Sequence, residues 1–284
     1  MGNEILFEAK TMLSAVLMMI LSGSLILPSG SDDDDGFKGT SGDDQFDGAD
    51  GDDVVRGHDG DDQLAGGDGE DIVAGGRGDD LMSGGGQNDI IRGGHGDDEI
   101  SGGNGSDYIN GGRGDDIIEG GSGNDDIEGW RGHDYIDGGN GDDMISGARG
   151  QDVLIGGKGD DFLNGGRGAD TLDGGRDDDI LFVDDRAGDE LTGGQGADIF
   201  AIDDNARNVT IWDYGSGNDQ IYLNQPDGGA PKVVEIFPRD DGSVVIFADD
   251  IEMARVYGDV ASLSAADIQF TDFAKMAADN GVTL

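Results

Sequence analysis

The stretch GGHGDDEISGGNGSDYINGGRGDDIIE, residues 93–119, decides how the rest of the chain is read. Cut into nines, each piece opens on two glycines, returns to Gly at the fourth place, carries Asp at the sixth and Ile at the eighth. Gly and Asp break regular structure well, and runs of them alone read as flexible linker. A fixed period that brings one apolar residue back to the same place does not.

Worked outward, the register holds for sixteen unbroken nonamers from Gly39 to Phe182. Position 1 is Gly in all sixteen. Position 6 is Asp in all sixteen: Asp44, Asp53, Asp62, Asp71, Asp80, Asp89, Asp98, Asp107, Asp116, Asp125, Asp134, Asp143, Asp152, Asp161, Asp170 and Asp179. Position 8 is always apolar, from Phe46 and Val55 to Leu172 and Leu181. Position 4 departs from Gly only at Gln87 and Asp177, and position 2 at Thr40, Ala49, His58, Trp130 and Ala148. After an irregular stretch, 183–192, GGQGADIFA (193–201) restores the unit once with Asp198. A last Gly-x-Asp-x-apolar unit stands at Gly217, Asp219 and Ile221.

The 284 residues include 57 Gly, no Cys, and 63 acidic against 17 basic side chains, a net charge of −46. Such a chain repels nucleic acid and anionic headgroups, so its natural partners are cations or basic surfaces. Without Cys there are no disulfides, thiolate metal sites or cysteine nucleophile.

The repeat resembles GGxGxDxUx, the nonapeptide of the RTX (repeats-in-toxin, hemolysin-type) calcium-binding proteins with a serralysin-like β-roll. The physical reading leads the same way. Burying one side chain in nine requires a short strand at positions 7–9 alternating with a turn at 1–6. Two nonamers make one coil of eighteen residues, and the two parallel sheets meet over a thin core of position-8 side chains. The resemblance implies an all-β, right-handed parallel β-roll solenoid with a C-terminal β cap.

A core this thin does not offset the ordering of so much glycine. Stacking also sets the position-6 carboxylates in columns about 5 Å apart, where like charges repel. A hard divalent cation between loops removes that repulsion and takes oxygen ligands. In the family, each Ca²⁺ takes carbonyls of positions 2 and 4 plus the position-6 carboxylate of one turn. It adds carbonyls of positions 1 and 3 plus the position-6 carboxylate of the turn one coil later. The resemblance thus implies multiple Ca²⁺ ions on the eighteen aspartates named above, Asp198 and Asp219 included. Residues 39–182 carry 37 acidic and 9 basic side chains, enough excess charge for about 14 ions. Sites at the turns of Gln87 and Asp177 are expected to suffer, since neither residue is at home in the glycine conformation.

Other signals point to no catalytic site and no cofactor besides calcium. The Arg-Gly-Asp triplets at 77–79 and 113–115 follow from repeat register. Asp32–Asp35 lacks the opening acid and closing Glu of an EF-hand loop and reads as an acidic spacer, 32–38. His58, His95 and His133 occupy different repeat positions, which argues against a zinc site. Position 7 of the even-numbered turns (Val54, Ile72, Ile90, Tyr108, Asp126, Met144, Phe162, Ile180) makes one outer sheet face more apolar. β-Propensity or self-association through that face would account for it.

Residues 1–31 form an N-terminal apolar segment whose run MLSAVLMMILSGSLIL (12–27) reads as a membrane tether, a signal-like segment or a buried helix. Residues 39–201 are the roll and 202–284 the cap. In the cap, strands are expected on either side of Asp241-Gly242, and LSAADIQF (263–270) resembles the tail of serralysin-type caps. Family members leave the cell unfolded by type I export on an uncleaved C-terminal signal, so an extracellular or surface-attached location is expected. The function expected is a structural or adhesive calcium-binding surface module. The alternative is the calcium-binding secretion tail of an RTX hydrolase or toxin whose catalytic domain lies elsewhere.

Overall fold

A computed structural model describes residues 30–203, 205–215, 218–224, 234–238, 241–248, 251–258, 260, 263 and 268–271. The apolar run 12–27, Gly217 and the final residues lie outside them. Among the described residues no helix is long and apolar enough to cross a membrane. The chain divides into two compact units, Met1–Ile136 and Asp137–Leu284.

In the first unit, successive strands alternate between two parallel sheets. One runs Gly36–Lys38, Val54–Asp59, Ile72–Arg77, Ile90–His95, Tyr108–Arg113, Asp126–Arg131. The other runs Gln45–Asp50, Gln63–Asp68, Leu81–Gly86, Glu99–Asn104, Ile117–Ser122. Each residue pairs with the one eighteen places on, as in Ile72↔Ile90 and Leu81↔Glu99. The fold is the expected parallel β-solenoid.

The strands are longer than the sequence suggested. Most cover six residues, positions 7–9 and then 1–3 of the next nonamer, leaving only 4–6 for the turn. Position-1 glycines such as Gly93 lack a positive φ. They are needed for space: a Cβ on Gly93 would collide with the Asp98 carboxylate of its own turn and the Gly111 carbonyl one coil later. Position 4 needs the left-handed backbone, as at Gly96 (φ 128°). Gln87 and Asp177, expected to resist it, adopt it at φ 73° and 74°, as do Ala49, His58, Trp130 and Ala148 at position 2.

Alternation along each strand turns positions 8 and 1 inward and 7, 9 and 2 outward. Val55, Val73, Ile91, Ile100, Ile109, Ile118 and Ile127 are fully buried as a result. The solenoid also begins earlier than expected. Gly36–Lys38 pairs with Val54–Arg56, and Phe37 stacks on Phe46 with ring centroids 4.4 Å apart. Residues 30–38 are therefore a degenerate nonamer (Gly30, Asp35, Phe37), not a spacer.

The second unit continues the pattern from Met144–Ser146 and Val153–Lys158, and its coils lengthen along the chain. Pairing is eighteen residues apart at Leu154↔Leu172, nineteen at Leu172↔Leu191 and twenty-one at Phe200↔Ile221. The stretch 183–192, irregular by sequence, is a nonamer with one inserted residue. Glu190–Gln195 takes its place beside Thr171–Arg176. One sheet then ends in a meander: Ile251–Gly258 lies parallel to Val209–Tyr214, followed by antiparallel Val244–Ala248 and Val234–Pro238. The hairpin turns at Asp241-Gly242 as expected; Gly242 has φ 87° and Asp241 Oδ1 accepts the Ser243 amide and hydroxyl. Ile268–Thr271 extends the other sheet. On the outer face, Phe162 packs with Phe182, Ala201, Met144, Ile180, Ile199 and Tyr222. In this unit, then, the apolar face covers itself in part.

Candidate metal centre

The turn at positions 4–6 closes on its own aspartate. Position-6 carboxylates from Asp53 to Asp198 are at most 3% exposed, and Asp219 is 7% exposed. Asp44, at the open start of the roll, is half-buried. In most, one oxygen has a fixed job. Oδ1 accepts the position-6 amide one coil earlier, from Asp44 N to Asp62 (2.7 Å) through Asp80 N to Asp98 (2.9 Å) and Asp98 N to Asp116 (2.9 Å). The second unit repeats it at Asp161 N to Asp179 (2.9 Å) and Asp179 N to Asp198 (3.0 Å).

In twelve of them the other oxygen has no hydrogen-bond partner. Oδ2 of Asp53, Asp62, Asp71, Asp80, Asp89, Asp98, Asp107, Asp116, Asp161, Asp170, Asp179 and Asp198 is buried without a hydrogen-bond partner. A buried carboxylate oxygen left unpaired is costly. The electrostatics record the cost. Burial, reinforced by the carboxylates one coil away, pushes Asp80 and Asp98 up to about 7, and Asp89, Asp116, Asp161, Asp170 and Asp179 up to about 8. The single amide bond to each lowers the value but does not offset burial.

Two columns of unpaired, hard anionic oxygens, framed by backbone carbonyls, suit calcium. Among the described residues no three Asp, Glu or His side chains converge. An ion between coils would meet two position-6 carboxylates and take its remaining oxygens from the backbone. This is the mixed carboxylate–carbonyl set that the family resemblance implies. Asp219 and Asp44 are exceptions: Asp219 Oδ1 accepts Asp198 N (3.2 Å) and its Oδ2 the Gly215 amide (2.6 Å), and Asp44 Oδ2 accepts the Thr40 amide (2.6 Å) and hydroxyl (3.1 Å).

This geometry repeats through a stretch that matches the family model for the RTX calcium-binding nonapeptide repeat. Eight overlapping four-copy segments, from 29–64 to 146–181, match without a gap and cover more than half of the chain. The chain belongs to the RTX calcium-binding repeat family. No curated protein matches it. In this RTX roll the match begins at residue 29, in agreement with the early first nonamer.

Two members of the columns were missed by sequence. Asp35 donates its amide to Asp53 Oδ1 at 2.5 Å. Asp189, 2% exposed, accepts the Asp170 amide at 3.0 Å. The signal was there, as Asp35-Gly36-Phe37 and Asp189-Glu190-Leu191 both read Asp-x-apolar. Missing glycines hid the first, and the single insertion hid the second.

A second ladder was also missed. At position 5, side chains reach the other way, accepting the position-5 amide of the following coil. Asp61 Oδ1 takes Asp79 N at 3.0 Å, Asp79 takes Asp97 N at 2.9 Å, and Asn88 takes Ser106 N at 2.7 Å. Asp, Asn and Ser recur there because each caps an amide that the turn would leave unpaired. Much of the acidity outside position 6 is therefore turn chemistry.

Proposed function

We propose that this RTX roll is a calcium-folded, non-catalytic structural module that works outside the cell, as an adhesive or scaffolding surface element. The observation that carries the reading is the column of buried, unpartnered Oδ2 atoms at position 6. It leaves the ion-free roll with uncompensated anionic oxygens that calcium relieves. Extracellular placement is supported by membership of a family whose proteins are typically exported, and by the millimolar calcium available there to fill weak sites. An unfolded, highly anionic chain before export and a folded one after it is the behaviour that metal-coupled folding gives.

The test is circular dichroism and small-angle scattering of the full chain in chelator, in magnesium and across a calcium titration. Calcium should produce a β spectrum and a contracted chain, and magnesium should not, because it holds its waters and demands a tighter octahedron. A chain that is equally ordered in chelator would refute the proposal. Localisation in intact cells tests the extracellular part separately.

A further inference from the structure

Basic side chains are scarce in the first unit and confined to one side of it. Residues 30–136 hold six Lys and Arg: Lys38, Arg56, Arg77, Arg92, Arg113 and Arg131. All six stand, exposed, on strands of the sheet that starts at Gly36–Lys38. His58 and His95 join them there, against three acids, Asp59, Asp126 and Glu128, the last bonded to Asn110 at 2.8 Å. The strands of the other sheet, from Gln45–Asp50 to Ile117–Ser122, carry no basic residue and five acids: Asp47, Asp50, Asp68, Glu99 and Glu119. Repeat register does not impose this sorting. Positions 3 and 9, where the six stand, occur on both sheets, and position 3 of the acidic one reads Asp50, Asp68, Gly86, Asn104, Ser122. In the second unit the sorting is gone: Lys158 pairs with Arg176 in one sheet, and Arg149 bridges Arg167 beside the other.

The charges reach the outer surfaces. On the basic sheet, the Arg113 and Arg131 guanidinium groups lie 5.8 and 5.0 Å from the ring centroid of exposed Trp130, and that of Arg92 lies 5.9 Å from Tyr108. On the acidic sheet, Glu99 stands at outward position 7 between Leu81 and Ile117 of the neighbouring strands. Its Oε1 is buried with no hydrogen-bond partner. A carboxylate oxygen in that state is short of a donor.

We infer that the basic outer face of one copy docks on the acidic outer face of a second copy, so that calcium-loaded chains stack sheet on sheet through their first units. Sign and period choose the occupant together. Each coil gives one strand to each sheet, so both faces repeat every ~4.8 Å and two copies meet rung by rung without drift. Glycine at position 2 keeps both faces low, at Gly76 and Gly94 on one and Gly67 and Gly85 on the other, which suits the ~10 Å approach of packed sheets. A polyanion would use the basic face and leave the acidic one idle; a second copy uses both. The net charge of −46 opposes contact between ion-free chains. Calcium neutralises the inner columns, and physiological salt screens charges beyond about 8 Å, so the facing groups then decide. Contact between unlike faces is heterologous and leaves one face free at each end, so the stacks are open-ended.

The inference rests on the calcium-folded roll, so the test reports both. The full chain in excess calcium would be followed by sedimentation velocity over a range of protein concentrations, with circular dichroism on the same samples. The average mass should climb past the dimer as concentration rises and fall back toward the monomer at about 1 M salt. Arg56→Glu with Arg92→Glu makes both faces acidic, and Glu99→Lys with Glu119→Lys makes both basic. Each pair should weaken association at least tenfold with an unchanged calcium-induced spectrum, and the two variants mixed should associate again. Should the second pair disturb the spectrum, Asp47→Lys with Asp68→Lys takes its place. A chain that stays monomeric in calcium overturns the inference, as does a dimer that never grows, which would mean a self-complementary contact. Undiminished association of the Arg56→Glu, Arg92→Glu variant overturns it too, since calcium would then be bridging acidic faces, and so does a mixture that fails to associate. A wild-type chain without an ordered spectrum in calcium overturns the roll itself, and the stacking with it.

Discussion

The repeated coils and the meander that follows them solve the same problem with different materials. A coil such as 93–110 buries Ile100 and Ile109, together with Asp98 and Asp107, and little else of size. Around 200–256 the burial is of an ordinary kind: Phe200, Ile211, Leu223, Val245, Ile246 and Val256 are at most 1% exposed. Hydrophobic burial stabilises by roughly 25 cal/mol per Å², so the meander carries its own stability while the coils delegate theirs to a bound cation. The difference teaches that charge, not apolar area, is the variable that controls the roll.

Stepwise chelation should break that parity most visibly. By hydrogen exchange, peptides over 90–131 are expected to lose essentially all protection at calcium levels where 244–258 remains protected. Loss of both together would show one cooperative unit and refute the distinction. Next in size is the thin core itself. Ile100→Ala, at saturating calcium, should cost about 2–5 kcal/mol in denaturant unfolding, because few neighbours can close the cavity.

Asp98→Asn should act through calcium instead. Asn keeps an oxygen for the Asp80 amide but removes the charge of the unpaired Oδ2. The calcium midpoint of folding should rise several-fold, with little change in stability at saturation.

Proton and calcium should compete. Folded-state values of about 7–8 for Asp80, Asp89, Asp98 and Asp116 lie above their unfolded value near 4. Protonation therefore favours the ion-free fold, fully below pH 4, and the benefit is lost as pH rises through 8. In chelator, β structure should be greater at pH 5 than at pH 8.5, while the calcium midpoint should worsen on acidification. The smallest effect is expected at Gln87→Gly. Relief of its φ of 73° should stabilise the calcium-loaded roll by about 1 kcal/mol in thermal or denaturant unfolding.

The period, the parallel pairing at eighteen residues, the buried eighth position and the aspartate columns were all legible in the sequence. Each is dictated by a residue type that admits few alternatives. What was not legible depends on neighbours in space. Strand length escaped because Gly at positions 1–3 looks like turn, while Gly93 is glycine only to clear Asp98 and the Gly111 carbonyl. The ladder at position 5 escaped because Asp61, Asn88 and Ser106 share a hydrogen-bonding role but not a charge. Asp35 and Asp189 escaped because pairing geometry tolerates an absent glycine or one extra residue, whereas a strict register does not. Gln87 and Asp177 obey the turn despite their type, since the coils on either side fix its backbone.

One consequence follows from the alternation of strands between the two sheets. Removing or duplicating eighteen residues would shift every later strand by a whole storey and leave its companions alike in kind. Removing nine would carry each later strand to the opposite wall, exchanging the two flanks of the protein. A gene for such a chain can grow or shrink freely in even counts of its smallest unit, and in odd counts only by reversing which side it shows to its surroundings.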